Sequence, residues 1–104
     1  MISYNVFFTP KAGVDDSSVI TVAHQFLEHL RAEKKLHGYR ILRVTNPGSF
    51  PALPRYQAIV DFESQQALDE AFAFMRQPNK KEEGPHGELM RLVADFKVSF
   101  TADV

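Results

Sequence analysis

The spacing of apolar residues changes along the chain, and each change predicts a boundary between secondary-structure elements. Ile2 to Phe8 is rich in β-forming residues and ends at Thr9-Pro10, which predicts a first strand. From Asp16 to about Leu36 the apolar residues recur instead with the spacing of one helix face, at Val19, Ala23, Phe26, Leu27 and Leu30. Acidic residues begin this segment, basic residues end it and Gly38 follows, so the sequence predicts a helix that stops at this glycine.

Two more strands and a second helix are predicted in the middle of the chain. Tyr39 to Thr45 and Tyr56 to Phe62 are predicted strands, and the loop between them contains three prolines. Ser64 is expected to cap the second helix, which ends before Pro78. Its apolar face is formed by Ala67, Leu68, Ala71, Phe72 and Met75.

The last part of the chain predicts a turn, a short helical segment and a fourth strand. Asn79 to Pro85 is polar and is typical of a turn, and Glu88 to Val93 is predicted to add a turn or two of helix. Ala94 to Thr101 alternates between apolar and polar residues, which indicates a strand.

The predicted order is therefore β-α-β-β-α-β, with two crossovers of similar length. This is the signature of a ferredoxin-like α+β fold, an antiparallel sheet with helices on one face. We expect the first and third strands to lie in the centre of the sheet. A chain of 104 residues is the usual size of one domain, so residues 1–104 are predicted to form a single ferredoxin-like domain.

The alternation within the strands predicts which residues face the helices. On the third and fourth strands these are Tyr56, Ala58, Val60, Phe62, Phe96, Val98 and Phe100, and on the second strand Leu42 and Val44 are the expected matches. The opposite face would then carry Phe7, Ile41, Arg43, Ile59 and Lys97. A mixed face of this kind suits a surface covered by a partner, so we predict a homodimer through it. The alternative is a solvated face with scattered apolar residues.

Composition excludes several classes of function. Twelve Lys and Arg residues stand against thirteen Asp and Glu residues, so the chain lacks the surplus of positive charge that nucleic-acid binding needs. The third strand also places Gln57 and Ile59 where RNA-recognition modules use stacking aromatics, so no nucleic-acid partner is predicted. The absence of cysteine excludes disulfides, thiolate catalysis and cysteine-ligated metals. With no signal peptide and no membrane-spanning stretch, we expect no membrane partner and a cytoplasmic location.

The histidines do not predict a metal site. His24 and Glu28 are four residues apart and would share a helix face, but two ligands do not close a site. We therefore predict no metal and no cofactor. General acid–base chemistry through His24, His86, Tyr39, Tyr4 or Asp61 stays open, because no spacing fixes a pair of these residues.

A small-molecule site is predicted around five residues that are polar-tipped or stand near loops beside the sheet. They are Tyr4, His24, Tyr39, Phe50 and His86. Phe50 lies in the proline-rich loop, which would form the lid of a pocket, reach a partner subunit, or fold back over its own core.

Length and element order resemble the dimeric α+β-barrel superfamily. The Phe62 to Ala71 segment is similar to the junction between the third strand and second helix of its members, which include antibiotic-biosynthesis monooxygenases and stress-responsive barrel proteins. Phe7 to Val14 and Asp95 to Phe100 resemble a small family of uncharacterised bacterial proteins. The resemblance implies a dimer in which two sheets form a barrel, with ligands bound between each sheet and its own helices.

The resemblance also implies what this chain would do. Haem-degrading members use an Asn on the first strand, a Trp, and a His on the second helix. Asn5 matches the strand asparagine, but the chain has no Trp, and its predicted second helix has no His from Ser64 to Gln77. We therefore expect a dimeric barrel protein of unassigned function that binds a small apolar or aromatic molecule. The alternative is a cofactor-independent oxygenase or isomerase that uses His24, Tyr39 or Asn5.

Overall fold

The computed structural model describes residues 1–75 and 84–104. The predicted turn from Asn79 onward lies outside the described residues as far as residue 83. The strands are β1 (Ile2–Pro10), β2 (Gly38–Arg43), β3 (Tyr56–Phe62) and β4 (Val93–Ala102). The helices are α1 (Asp16–Ala32), α2 (Gln65–Met75) and α3 (Gly84–Leu92). The predicted order of the six principal elements is confirmed, and α3 is a nine-residue helix rather than the turn or two expected.

Helix α1 ends before the predicted glycine stop, through a backbone motif that does not need glycine. Lys34 adopts a left-handed conformation with φ of 59°, and its N–H donates to the Arg31 carbonyl at 3.0 Å. The Lys35 N–H donates to the Leu30 carbonyl at 2.8 Å. These two bonds form a Schellman motif, which satisfies the last carbonyls of the helix. Gly38 instead begins β2.

The four strands form one antiparallel sheet in the order β2-β3-β1-β4, so the first and third strands are central, as predicted. Tyr4 pairs with Val60 on one side of β1 and with Phe100 on the other. Directly paired residues of an antiparallel sheet project from the same face. Tyr4, Val6 and Phe8 therefore share the helix-facing side with the buried residues of β3, whereas Phe7 lies on the outer face.

The register of β2 contradicts the prediction for its two faces. Ile41 pairs with Ala58 and Arg43 pairs with Tyr56, so both residues lie on the helix-facing side. Their predicted place on the outer face is wrong, as is the helix-facing assignment of Leu42. Because both Ile41 and Leu42 are apolar, the sequence pattern does not distinguish the two registers, and a shift of one residue exchanges the faces.

The core lies between this side of the sheet and the helices. Val19, Leu27 and Leu30 of α1 and Leu68 and Ala71 of α2 are buried against the sheet. Tyr56, Ala58, Val60 and Phe62 of β3 are buried as predicted. None of the helices in the described part of the chain has the length and apolar character needed to cross a membrane.

Candidate functional site

A cavity of about 250 Å³ lies between the sheet and the three helices. Its floor is formed by side chains of β1 and β3, and its walls by α1, α2 and α3. The residues that line it from the helices include Phe26 and Leu30 of α1, Phe72 and Met75 of α2, and Met90 of α3. Among the described lining residues, Tyr4 is the one whose side chain carries an oxygen or nitrogen atom. The described lining is therefore apolar with a single hydroxyl.

Tyr4 is held in a cluster of three aromatic rings. Its ring packs edge-to-face on Phe72 and is stacked on Phe100, with a centroid separation of 5.1 Å in each pair. Burial raises the pKa of the Tyr4 hydroxyl above its ordinary value. Within residues 1–75 and 84–104 nothing hydrogen-bonds to this hydroxyl. The site thus contains a half-buried donor that has no acceptor among the described residues.

Strand β4 leaves large apolar side chains exposed beside the cavity. Phe96, which lines the cavity, is 41% exposed, Val98 is 45% exposed and Phe100 is 53% exposed. These three residues were predicted to face the helices. Val98 and Phe100 pair with Val6 and Tyr4, which confirms their side of the sheet, although the described helices do not bury them.

His24 and Tyr39 come together, but on the surface and away from the cavity lining. The Tyr39 hydroxyl donates to Glu28 Oε1 at 2.8 Å, and its oxygen lies 3.1 Å from His24 Nδ1. Because the hydroxyl proton is directed at Glu28, His24 Nδ1 is the donor to Tyr39. Arg31 holds the other Glu28 oxygen at 2.8 Å. The hydrogen bond from Tyr39 lowers the pKa of Glu28, while burial and the same bond raise the pKa of Tyr39. These contacts tie α1 to β2 through a chain of polar side chains.

The remaining predicted site residues do not converge on the cavity in the described residues. Phe50 is 62% exposed in the proline-rich loop and is not among the described residues that pack against the core. His86 lies in the first turn of α3, and its side chain is outside the described residues. Asn5 and Asp61, two further candidates for acid–base or catalytic chemistry, lie on the outer face of the sheet. There Asn5 Nδ2 donates to Thr101 Oγ1 at 3.1 Å, and Ser3 Oγ donates to Asp61 at 2.6 Å.

Sequence reasoning thus found one of the described cavity residues, Tyr4, as a site residue. It treated Phe26, Phe72 and Leu30 only as core residues because their helical spacing is the same for a filled core and for a cavity wall. Leu89 and Met90 were missed because α3 was predicted as a short helical segment. Among the described residues no three His, Asp or Glu side chains are grouped as metal ligands would be.

Sequence comparison identifies a family but no characterised relative. The pattern of a family described as "Family of unknown function (DUF6614)" matches residues 1–103. No curated protein is detectably similar to the chain.

Solved structures share the fold over almost the whole chain. A protein from Arabidopsis thaliana has a TM-score of 0.79 at 12% identity, covering 100% of this chain and 96% of that one. A dimeric ferredoxin-like protein of unknown function from Jannaschia sp. CCS1 has a TM-score of 0.72 at 19% identity, covering 98% of each chain. SnoaB, a cofactor-independent oxygenase from Streptomyces nogalater, has a TM-score of 0.71 at 14% identity, covering 99% of this chain and 92% of that one. These similarities confirm the ferredoxin-like α+β fold and the resemblance to dimeric ferredoxin-like proteins.

Proposed function

The chain belongs to the DUF6614 family, whose function is unknown, and we propose from its geometry that it binds a small apolar or aromatic molecule in the cavity between sheet and helices. The observation that carries the proposal is the lining, which is apolar throughout the described residues except for the Tyr4 hydroxyl. Small-molecule sites typically combine a largely apolar wall with a few polar groups that fix orientation. Phe26, Phe72 and Phe96 provide faces and edges against which an aromatic ring would pack.

The size of the cavity supports a ligand of a few rings. An apolar cavity of about 150 Å³ accommodates benzene, so 250 Å³ has room for a larger, two- or three-ring molecule. The apolar walls of this space are in part accessible to water, and a bound apolar molecule would cover them, which favours an occupied site.

The direct test is a fluorescence titration with N-phenyl-1-naphthylamine, an uncharged probe that brightens in apolar surroundings. We expect saturable binding of one probe per chain. Ala71→Leu would place a larger side chain in the cavity and weaken binding by about tenfold or more, equivalent to ~1.4 kcal/mol. Ala73→Leu is the matched control, because Ala73 is exposed on the same helix. Absence of saturable binding, or equal binding by the Ala71→Leu variant, would contradict the proposal.

We also propose that two copies associate through the outer face of the sheet. Phe7 and Ile59 lie on this face as predicted, and Leu42 takes the place that Ile41 was expected to occupy. Two of its polar side chains, Asp61 and Asn5, are already hydrogen-bonded within the face, which reduces the cost of covering them. A neighbour with the same fold is described as dimeric, which supports association of two copies but does not specify the face.

Catalysis as an oxygenase or isomerase is the alternative, and the similarity to SnoaB is the observation that favours it. The residues expected to serve it do not gather at the cavity. His24 and Tyr39 bond to each other at the surface, and Asn5 lies on the outer face. Binding is therefore the function that the geometry supports better.

A further inference from the structure

The Tyr4 hydroxyl is an unusual feature of a cavity whose described lining is otherwise apolar. Buried hydroxyl groups normally have hydrogen-bond partners, because a desolvated donor without an acceptor is unfavourable. Tyr4 lines the cavity and has no such partner in the part of the chain that the structure describes. The group is thus available to a molecule that enters the cavity with an acceptor atom.

The ring that carries this hydroxyl is fixed in position. Phe72 packs against it at an interplanar angle of 80°, and Phe100 stacks on it at 30°. Antiparallel pairing with Val60 and Phe100 holds the backbone of Tyr4 on both sides. A donor that is held in this way loses little freedom on binding, which is the condition for strong discrimination between ligands.

The charge of the cavity limits the ligand further. The described lining contains no Lys, Arg, His, Asp or Glu side chain. A carboxylate or ammonium group would therefore lose its hydration without gaining an ionic partner among the described lining residues. A tyrosine hydroxyl is protonated at neutral pH, and burial raises the pKa of Tyr4 further, so the group is able to donate a hydrogen bond.

We infer that Tyr4 determines the specificity of the cavity, and that its ligand is an uncharged aromatic molecule with a hydrogen-bond acceptor, such as a ketone, quinone or aryl ether, that receives the Tyr4 O–H. The inference rests on the proposed binding function and adds the chemical class of the ligand. It predicts that two molecules of the same shape are distinguished by one acceptor atom.

Three related probes, measured by displacement of bound N-phenyl-1-naphthylamine, test this inference. 9-Fluorenone carries a carbonyl where fluorene carries a methylene group, and fluorene-9-carboxylate adds a negative charge. We expect fluorenone to bind about fivefold to tenfold more tightly than fluorene, as one neutral hydrogen bond allows. The carboxylate should bind more than about tenfold more weakly than fluorene, because the described lining has no cation that would compensate its charge.

Tyr4→Phe removes the hydroxyl and keeps the ring between Phe72 and Phe100. This variant should bind fluorene as the parent does, within about twofold, and should lose the preference for fluorenone. Tyr56→Phe is the matched control. Tyr56 lies on the same side of the sheet, but its hydroxyl donates to Asp16 at 2.7 Å and it does not line the cavity. This variant should keep the preference, and thermal unfolding of both variants verifies that they fold.

The possible failures are distinguishable. Equal binding of fluorenone and fluorene by the parent, or a preference that persists in Tyr4→Phe, would overturn the role of Tyr4 and leave the binding cavity in place. Failure of all three probes and of the naphthylamine to bind would overturn the cavity function and the inference together. A preference for the carboxylate over fluorene would overturn the uncharged ligand class.

Discussion

Filling the cavity should stabilise the ligand-free protein, and Ala71→Leu is the substitution that tests this. Ala71 is 3% exposed on α2 and lines the cavity, so a longer side chain at this position extends into space that the ligand-free protein leaves unfilled. Leu and Ala both have high helix propensity, so the helix itself is little affected.

The magnitude follows from the carbon atoms that the substitution buries. Leucine adds three carbons, each worth about 0.8 kcal/mol when fully buried, which gives roughly 2.4 kcal/mol. Fixing the leucine rotamer costs about 0.5–1 kcal/mol. A net gain of about 1.5 kcal/mol is therefore expected, which for a chain of this length raises the melting temperature by roughly 6–12 °C.

Thermal unfolding followed by circular dichroism, on protein refolded from denaturant so that bound molecules are removed, measures this gain. Ala73→Leu places the same side chain on the exposed side of α2 and should change the stability by less than about 0.5 kcal/mol. A lower melting temperature for Ala71→Leu than for the parent would mean that the region is already packed. The cavity reasoning would then be refuted.

Two further predictions concern the outer face and the surface cluster. Ile59→Lys should shift the protein from dimer to monomer in light scattering while keeping its circular dichroism spectrum. Ala32→Lys, at the exposed end of α1, is the control and should leave the dimer intact. A parent protein that is monomeric at tens of micromolar would contradict the interface. Burial and the hydrogen bond to Glu28 raise the pKa of Tyr39 in the folded state. The protonated hydroxyl therefore contributes fully to stability below the unfolded-state pKa of about 10, and this contribution is lost as the pH rises through the folded-state pKa. Tyr39→Phe should therefore lose less stability in alkaline urea titrations than the parent, and an unchanged alkaline loss would contradict this account.

The sequence predicts most of this fold because two periodicities are strong and local. The spacing of Val19, Ala23 and Leu27 identifies α1, and the alternation from Tyr56 to Phe62 gives the observed bounds of β3. Strand β2 was placed on the wrong register because Ile41 and Leu42 are both apolar. Its register is fixed by bonds to distant parts of the chain, such as the Val44 N–H to the Arg55 carbonyl at 2.8 Å, which no local pattern reveals.

The candidate site was predictable only in part, for a related reason. Tyr4 is recognisable as a polar-tipped residue that alternates with the apolar residues Val6 and Phe8 on β1. The pairing of His24 with Tyr39 joins residues from different elements, and the space beside Phe72 depends on how α2 and α3 pack over the sheet. A helix face that fills a core and one that lines a cavity have the same sequence period, so their difference appears only in three dimensions.

The most direct test of the central claim is a crystal structure of the protein with 9-fluorenone bound. The account predicts electron density for the ligand between the sheet and the three helices, in contact with Phe26 and Phe72, with its carbonyl oxygen about 2.7–2.8 Å from the Tyr4 hydroxyl. Density for the ligand at another place on the molecule, with the space beneath α1, α2 and α3 filled by protein side chains, would contradict it.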